Sequence, residues 1–220
     1  MNDEIRAKIL KKGVIVGGHP RSGTSLACQL VESAGVEFPS DFVGDEYNQA
    51  GYYELEASKE LTKKLIEKAM TVENTLKMNK IIDRLNDCKV GGLKIVRIPA
   101  IFFYLHVARK LKTVFIFRNP ADVKASLLRR GISRFEPDWF ENNNALIAAH
   151  ENIENSIIIS YERLLKGDQK IKKVFSKIGL NIDLNLIQNQ QRTQARSSIV
   201  ISNKEKKLYD RLKKLEEECF

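Results

Sequence analysis

The chain is predicted to be an α/β protein with a central parallel sheet flanked by helices. Three observations predict this. Short runs rich in β-branched and aromatic residues occur without polar alternation, as in strands covered on both faces. Helical patterns separate those runs, and that alternation implies a parallel sheet wrapped by helices. Apolar residues make up 43% and charged residues 30% of the 220 positions, a globular balance in a chain long enough to bury a core.

The predicted strands are Gly13–Gly17 (GVIVG), Thr113–Phe117 (TVFIF) and Ser156–Ser160 (SIIIS), with Gly91–Val96 as a weaker fourth. The helical patterns cover Thr24–Ala34, Ala57–Met70, Pro99–Lys110, Ala121–Arg130, Asp138–Asn155 and Lys170–Ile178. A basic terminal helix over about 204–218 places Leu208, Leu212 and Leu215 at packing intervals. No repeat, low-complexity tract or Gly/Ser/Pro linker divides the sequence, so one domain is expected over 1–220.

Cys28, Cys88 and Cys219 are odd in number and widely spaced, which speaks against a disulfide framework or a zinc site. Met1 to Lys12 lacks an apolar signal core, and the longest apolar stretch, Ile98 to Ala108, is shorter than the ~20 residues of a membrane span. A reducing, cytoplasmic setting is expected. The formal net charge of +9 fits either a solvated basic surface or a field that attracts polyanions.

The most informative segment is Gly17-Gly-His-Pro-Arg-Ser-Gly-Thr-Ser25. It follows a predicted strand and opens a predicted helix, the context of phosphate-binding loops. Glycines let the backbone turn and approach an anion. A helix N-terminus offers unpaired N–H groups and about half a positive charge. Arg21 adds a guanidinium fork, and Ser22, Thr24 and Ser25 add hydroxyls. Gly18 and Gly23 have the spacing of an ATP-binding loop, but Thr24 stands where that loop needs lysine. A P-loop-like nucleotide-binding fold without the nucleoside-triphosphate lysine is therefore expected.

A second segment, Phe115-Ile-Phe-Arg-Asn-Pro-Ala-Asp-Val-Lys-Ala-Ser126, ends a strand at Arg118 and puts Pro120 at the start of a helix. Ser126 lies on the face of that helix shared by Asp122, where it can join Arg118 around one phosphate.

Together, PRSGTS and RNPADVKAS closely resemble the two nucleotide motifs of sulfotransferases that use 3′-phosphoadenosine-5′-phosphosulfate (PAPS). The resemblance implies that Arg21, Ser22, Gly23, Thr24 and Ser25 hold the 5′-phosphosulfate. It also implies that Arg118 and Ser126 hold the 3′-phosphate. The segments Asn48–Glu54, Lys94–Arg97 and Ser160–Leu165 are similar to further stretches of small bacterial members, with Tyr161 near the adenine. The likeness covers roughly residues 12 to 180. It implies transfer of a sulfuryl group to a small-molecule acceptor, with adenosine 3′,5′-bisphosphate (PAP) as product. No metal is expected, because no His/Cys/Asp cluster has ligand spacing and two cations suffice, and no nucleic-acid partner is expected. Two departures stand out. Val96 occupies the place of the histidine base of many cytosolic members, and the C-terminal R-K-G loop is missing, with Arg192 or Arg196 as substitutes.

By the same resemblance Arg21 and Lys94 are the cations for the leaving oxygen. Glu54, after an aromatic pair that would desolvate it, is the expected base; Asp45 and Glu46 compete with it. His19, inside the loop, is a weaker base candidate. His106 is expected in the core, and His150 is placed where it could face the cleft. Tyr47, Tyr52, Tyr53, Phe135 and Trp139 are candidates for an acceptor pocket or for ordinary core. Two other functions fit less well. A Mg²⁺-dependent kinase needs the missing lysine, and a basic RNA-binding protein lacks an aromatic RNA motif.

Overall fold

The four strands lie in one parallel sheet in the order β2-β1-β3-β4. They are β1 Gly13–Gly17, β2 Gly91–Ile95, β3 Leu111–Phe117 and β4 Ser156–Ser160. The register pairs Gly17 with Ile95 on one side and with Phe115 on the other, and Phe117 with Ser160. These positions come from a computed structural model that describes residues 6–44, 51–67, 71–187 and 199–220.

Successive side chains of a strand point to opposite faces, and here both faces are apolar. Ile15, Leu93, Ile95, Phe115, Phe117 and Ile158 pack into one core, while Val14, Val16, Val114, Ile116, Ile157 and Ile159 pack into the other. The first core is closed by α2 (Glu56–Glu67), α3 (Val72–Asp87), α4 (Ile101–Val107), α6 (Trp139–Asn152) and α9 (Asn203–Cys219). The second is closed by α1 (Thr24–Glu32) and α8 (Gln169–Lys177). The absence of polar alternation in the strand sequences follows from this double coverage. Two further helices, α5 (Pro120–Leu128) and the single-turn α7 (Tyr161–Leu164), leave the carboxyl ends of β3 and β4.

Helix α3 went unpredicted, although Thr71 caps it by accepting from the Asn74 amide and Met78, Ile81, Ile82 and Leu85 form its buried stripe. The Pro99–Lys110 pattern proves to be a 3-10 turn, Ile98–Ala100, followed by α4. Its buried face carries Ile101, Tyr104 and Val107, so His106 falls on the exposed side and is not a core residue. No described helix is long and apolar enough to cross a membrane.

In a parallel sheet every strand ends at the same edge. The chain runs from β1 outward to β2, then returns to β1's other side for β3 and continues outward to β4. The connections therefore diverge between β1 and β3, which opens a crevice at their carboxyl ends.

Candidate functional site

The loop after β1 and Arg118 after β3 both enter that crevice, so topology brings the two sequence motifs together. Gly18 has no room for a side chain: a Cβ there would lie 2.3 Å from the Ile116 carbonyl oxygen. Gly23, with φ 93°, ends the loop in the left-handed region and caps α1 without a side chain. The first turn of α1 contains no acidic residue. No side chain caps its amino end, where unpaired N–H groups favour negative charge. Arg21 also has a positive φ, 69°, unusual for a non-glycine and often found where a site imposes its geometry.

Arg21 Nε donates to Ser126 Oγ at 3.0 Å, and an Arg118 terminal nitrogen donates to the Arg21 carbonyl at 3.3 Å. Ser126, expected beside Arg118, is thus reached directly by Arg21, and the two sequence segments meet in one cationic floor. Arg118 is 5% exposed. Its guanidinium lies 4.6 Å from the Tyr161 ring centre and 3.7 Å from an Asp122 carboxylate oxygen. Trp139 Nε1 holds the Arg118 carbonyl at 3.2 Å. Burial, then Arg130 and Arg118, lower the pKa of the Arg21 guanidinium. Clustered cations of this kind favour an anion between them. Ser22 Oγ is fully buried with no hydrogen-bond partner among the described residues, a donor held in reserve in the same loop.

The cleft around these groups has a volume of about 540 Å³. On the β2 side lies Lys94, whose ammonium donates to Ser25 Oγ at 3.1 Å and to the Tyr52 carbonyl at 2.8 Å, and pairs with Glu54 at 3.0 Å. Glu54 is also 4.0 Å from Lys59. The Asp41 amide donates to the Glu54 carbonyl at 2.9 Å, and the Asp41 carboxylate accepts the Glu56 amide and Arg84. This fixes the backbone that presents Glu54. Tyr53, with φ 56°, packs instead toward the second core, where its hydroxyl donates to Glu32 and its ring meets Phe38 edge-on. The Glu54 carboxylate therefore faces Lys94 and Lys59, with Arg97 near enough to interact, and Tyr53 does not desolvate it.

Tyr161, Tyr52, Phe135 and Val96 line the cleft, and Trp139 is core beneath Arg118. A Cβ on Gly23 would come within 2.2 Å of the Tyr161 ring, so that ring packs directly on the loop. His19 is buried against Phe135 with its Nδ1 at 2.9 Å from the Pro20 carbonyl oxygen, and burial pulls its pKa down to about 4. His150 does not face the cleft. It sits near the end of α6, which returns to the amino end of β4, and its Nδ1 is 2.7 Å from Ser156 Oγ. Asp45, Glu46, Tyr47, Arg192 and Arg196 lie outside the described residues.

Arg97, the last residue of the Lys94–Arg97 stretch, and Arg130 also line the cleft; the sequence assigns Arg97 no role and does not single out Arg130. Arg130 donates to the Tyr52 hydroxyl at 3.0 Å and influences Arg21; Arg97 lies 4.6 Å from the Phe135 ring centre. A lone arginine such as Arg130 carries no local pattern that would have marked it.

No family model and no curated protein sequence matches the chain. The structure is similar to the sulfotransferase domain of the olefin synthase of Synechococcus PCC 7002. The TM-score is 0.60 at 14% identity, covering 94% of this chain and 96% of that one. It is equally similar to the sulfotransferase domain of the curacin biosynthetic pathway, with a TM-score of 0.60 at 12% identity, covering 94% and 99%. The chain therefore has the sulfotransferase-domain fold.

Proposed function

We propose that the protein is a PAPS-dependent sulfotransferase acting on a hydroxyl or amine of a small acceptor. The observation that carries the reading is the convergence of Arg21, Ser126 and Arg118 at the β1–β3 crevice, with Lys94 and Glu54 beside them. The 3′ and 5′ substituents of one ribose are close together, and a contiguous cationic floor suits both. The uncapped start of α1 and the unpartnered Ser22 hydroxyl fit the same ligand. Thr24 at the first position of α1 argues against a nucleoside triphosphate.

When bound, the donor supplies a sulfuryl group on a phosphate leaving group. Arg118 and Ser126 hold the 3′-phosphate through charge-assisted hydrogen bonds. Arg21, Ser22, Thr24, Ser25 and the amide at Gly23 hold the 5′ end, with Tyr161 flanking the nucleotide. As the S–O bond to phosphate breaks, negative charge grows on the former bridging oxygen. Arg21 and Lys94 are the fixed cations that stabilise it. Glu54 accepts the proton from the acceptor as its oxygen or nitrogen bonds to sulfur, and its ion pair with Lys94 holds the carboxylate in place until then. Val96, which carries no proton, leaves Glu54 as the base on this side of the cleft.

The test is a label-transfer screen with radiolabelled PAPS against pooled metabolites. Protein-dependent labelling of an acceptor, lost in Lys94→Ala, supports the reading. Labelling that needs ATP and Mg²⁺ instead overturns it.

A further inference from the structure

The sulfuryl-transfer reading accounts for the floor of the cleft but not for its charge. Arg21, Arg118, Arg130 and Lys94 surround the place assigned to the donor. Beyond them Arg97, Lys59 and Lys63 also line the cleft, while Glu54 is the one carboxylate among the described lining residues. Counting each phosphomonoester as about −2 and the phosphosulfate as about −2, the donor brings about four negative charges. About two positive charges remain on the acceptor side; Lys59 and Lys63 reach into solvent, which screens them, while Arg97 is half-buried.

Arg97 is the group best placed to use that excess. It follows β2, one residue past Val96. Its Nε donates to the Glu136 carbonyl at 3.1 Å and its guanidinium stacks 4.6 Å from the Phe135 ring centre. These two contacts fix the plane of the guanidinium and consume one of its donors. Among the described residues no carboxylate pairs with it. The rest of the fork is available to a ligand, in the geometry that receives a carboxylate through two parallel hydrogen bonds. Burial and then nearby Glu54 are the influences on this group, the first lowering its pKa and the second raising it. Arg97 and Glu54 therefore share one space, where an acceptor must lie to lose its proton. Val96, Phe135, Phe42 and Ile132 give the wall beside them an apolar stretch.

We propose that Arg97 binds a carboxylate on the acceptor, so that the acceptors are hydroxyl- or amine-bearing organic carboxylic acids with an apolar body. This inference rests on the sulfotransferase reading, and the experiment separates the two. Calorimetry at saturating PAP compares 4-hydroxybenzoate, 3-(4-hydroxyphenyl)propanoate and 12-hydroxydodecanoate with their methyl esters. At least one acid is expected to bind about ten- to a hundredfold more tightly than its ester, the effect of hydrogen bonds to a charged group. Arg97→Ala should abolish that difference while PAP affinity changes less than about threefold, which also reports that the variant is folded; Arg97→Lys should restore part of it. Acids and esters binding equally, or none binding, in a protein that binds PAP overturns the carboxylate inference alone. Loss of PAP affinity in Arg97→Ala moves Arg97 to the donor and overturns it too. Failure of the wild-type protein to bind PAP overturns the sulfotransferase reading itself.

Discussion

Replacing Arg118 with alanine separates the two ends of the nucleotide. The Arg118 side chain is 5% exposed and lies on the Tyr161 ring beside Asp122. Truncating a buried, charge-assisted partner costs about 2–4 kcal/mol, so PAP affinity should fall about thirtyfold to a thousandfold. Arg118 also donates to the Arg21 carbonyl at 3.3 Å, and this support for the loop is worth about 0.5–1.5 kcal/mol. Adenosine 5′-phosphate, which lacks the 3′-phosphate, should therefore lose no more than about tenfold. Isothermal calorimetry of both ligands against wild type and variant reads the difference. Arg118→Lys keeps the charge but loses the fork, and should fall between them. Equal losses for PAP and adenosine 5′-phosphate would refute the assignment of Arg118 to the 3′ end.

Glu54→Gln should slow turnover about 10²- to 10⁴-fold while PAP binding stays nearly intact, as expected for a general base; a wild-type rate would move the base elsewhere. Gly23→Ala meets the Tyr161 ring at 2.2 Å and sits at φ 93°. It should cost about 1–2 kcal/mol from backbone strain alone, and added Tyr161→Ala should recover only the steric part of the loss in denaturant titrations. Glu216 is fully buried, accepts from the Ser160 amide and hydroxyl at 2.7 Å, and pairs with Arg163 and Lys213. Glu216→Ala should remove about 3–5 kcal/mol and lower Tm by about 6–20 °C in a thermal melt. His19 titrates near 4 when folded, below its ordinary 6.5, because burial disfavours its charge. The unfolded chain then binds the proton first, so stability is lost as pH falls from about 6.5 to 4, by about 3 kcal/mol. His19→Phe should flatten that part of the curve relative to wild type; unchanged pH dependence would contradict it.

The strands were legible because double coverage writes itself into composition: GVIVG, TVFIF and SIIIS can be apolar throughout only where helices pack on both faces. Both segments proposed to hold the donor were legible because each is a contiguous strand-to-helix segment. Helix α3 was missed because its stripe from Met78 to Leu85 is embedded among polar residues, although Thr71 and the helical spacing were there to be read. Pairings across long separations were not legible. Lys94 meets Glu54 only because β2 returns beside the loop before α2, and Arg21 meets Ser126 only because β3 lies next to β1. The histidines show the same limit. His150 was assigned to a helix correctly, but the direction of α6 carries it to the opposite end of the sheet.

The most direct measurement is calorimetric titration with PAP in the presence of a chelator. The account predicts one-to-one binding that persists without metal and exceeds the affinity for adenosine 5′-phosphate. Absence of PAP binding, or a preference for ATP with Mg²⁺, would contradict it.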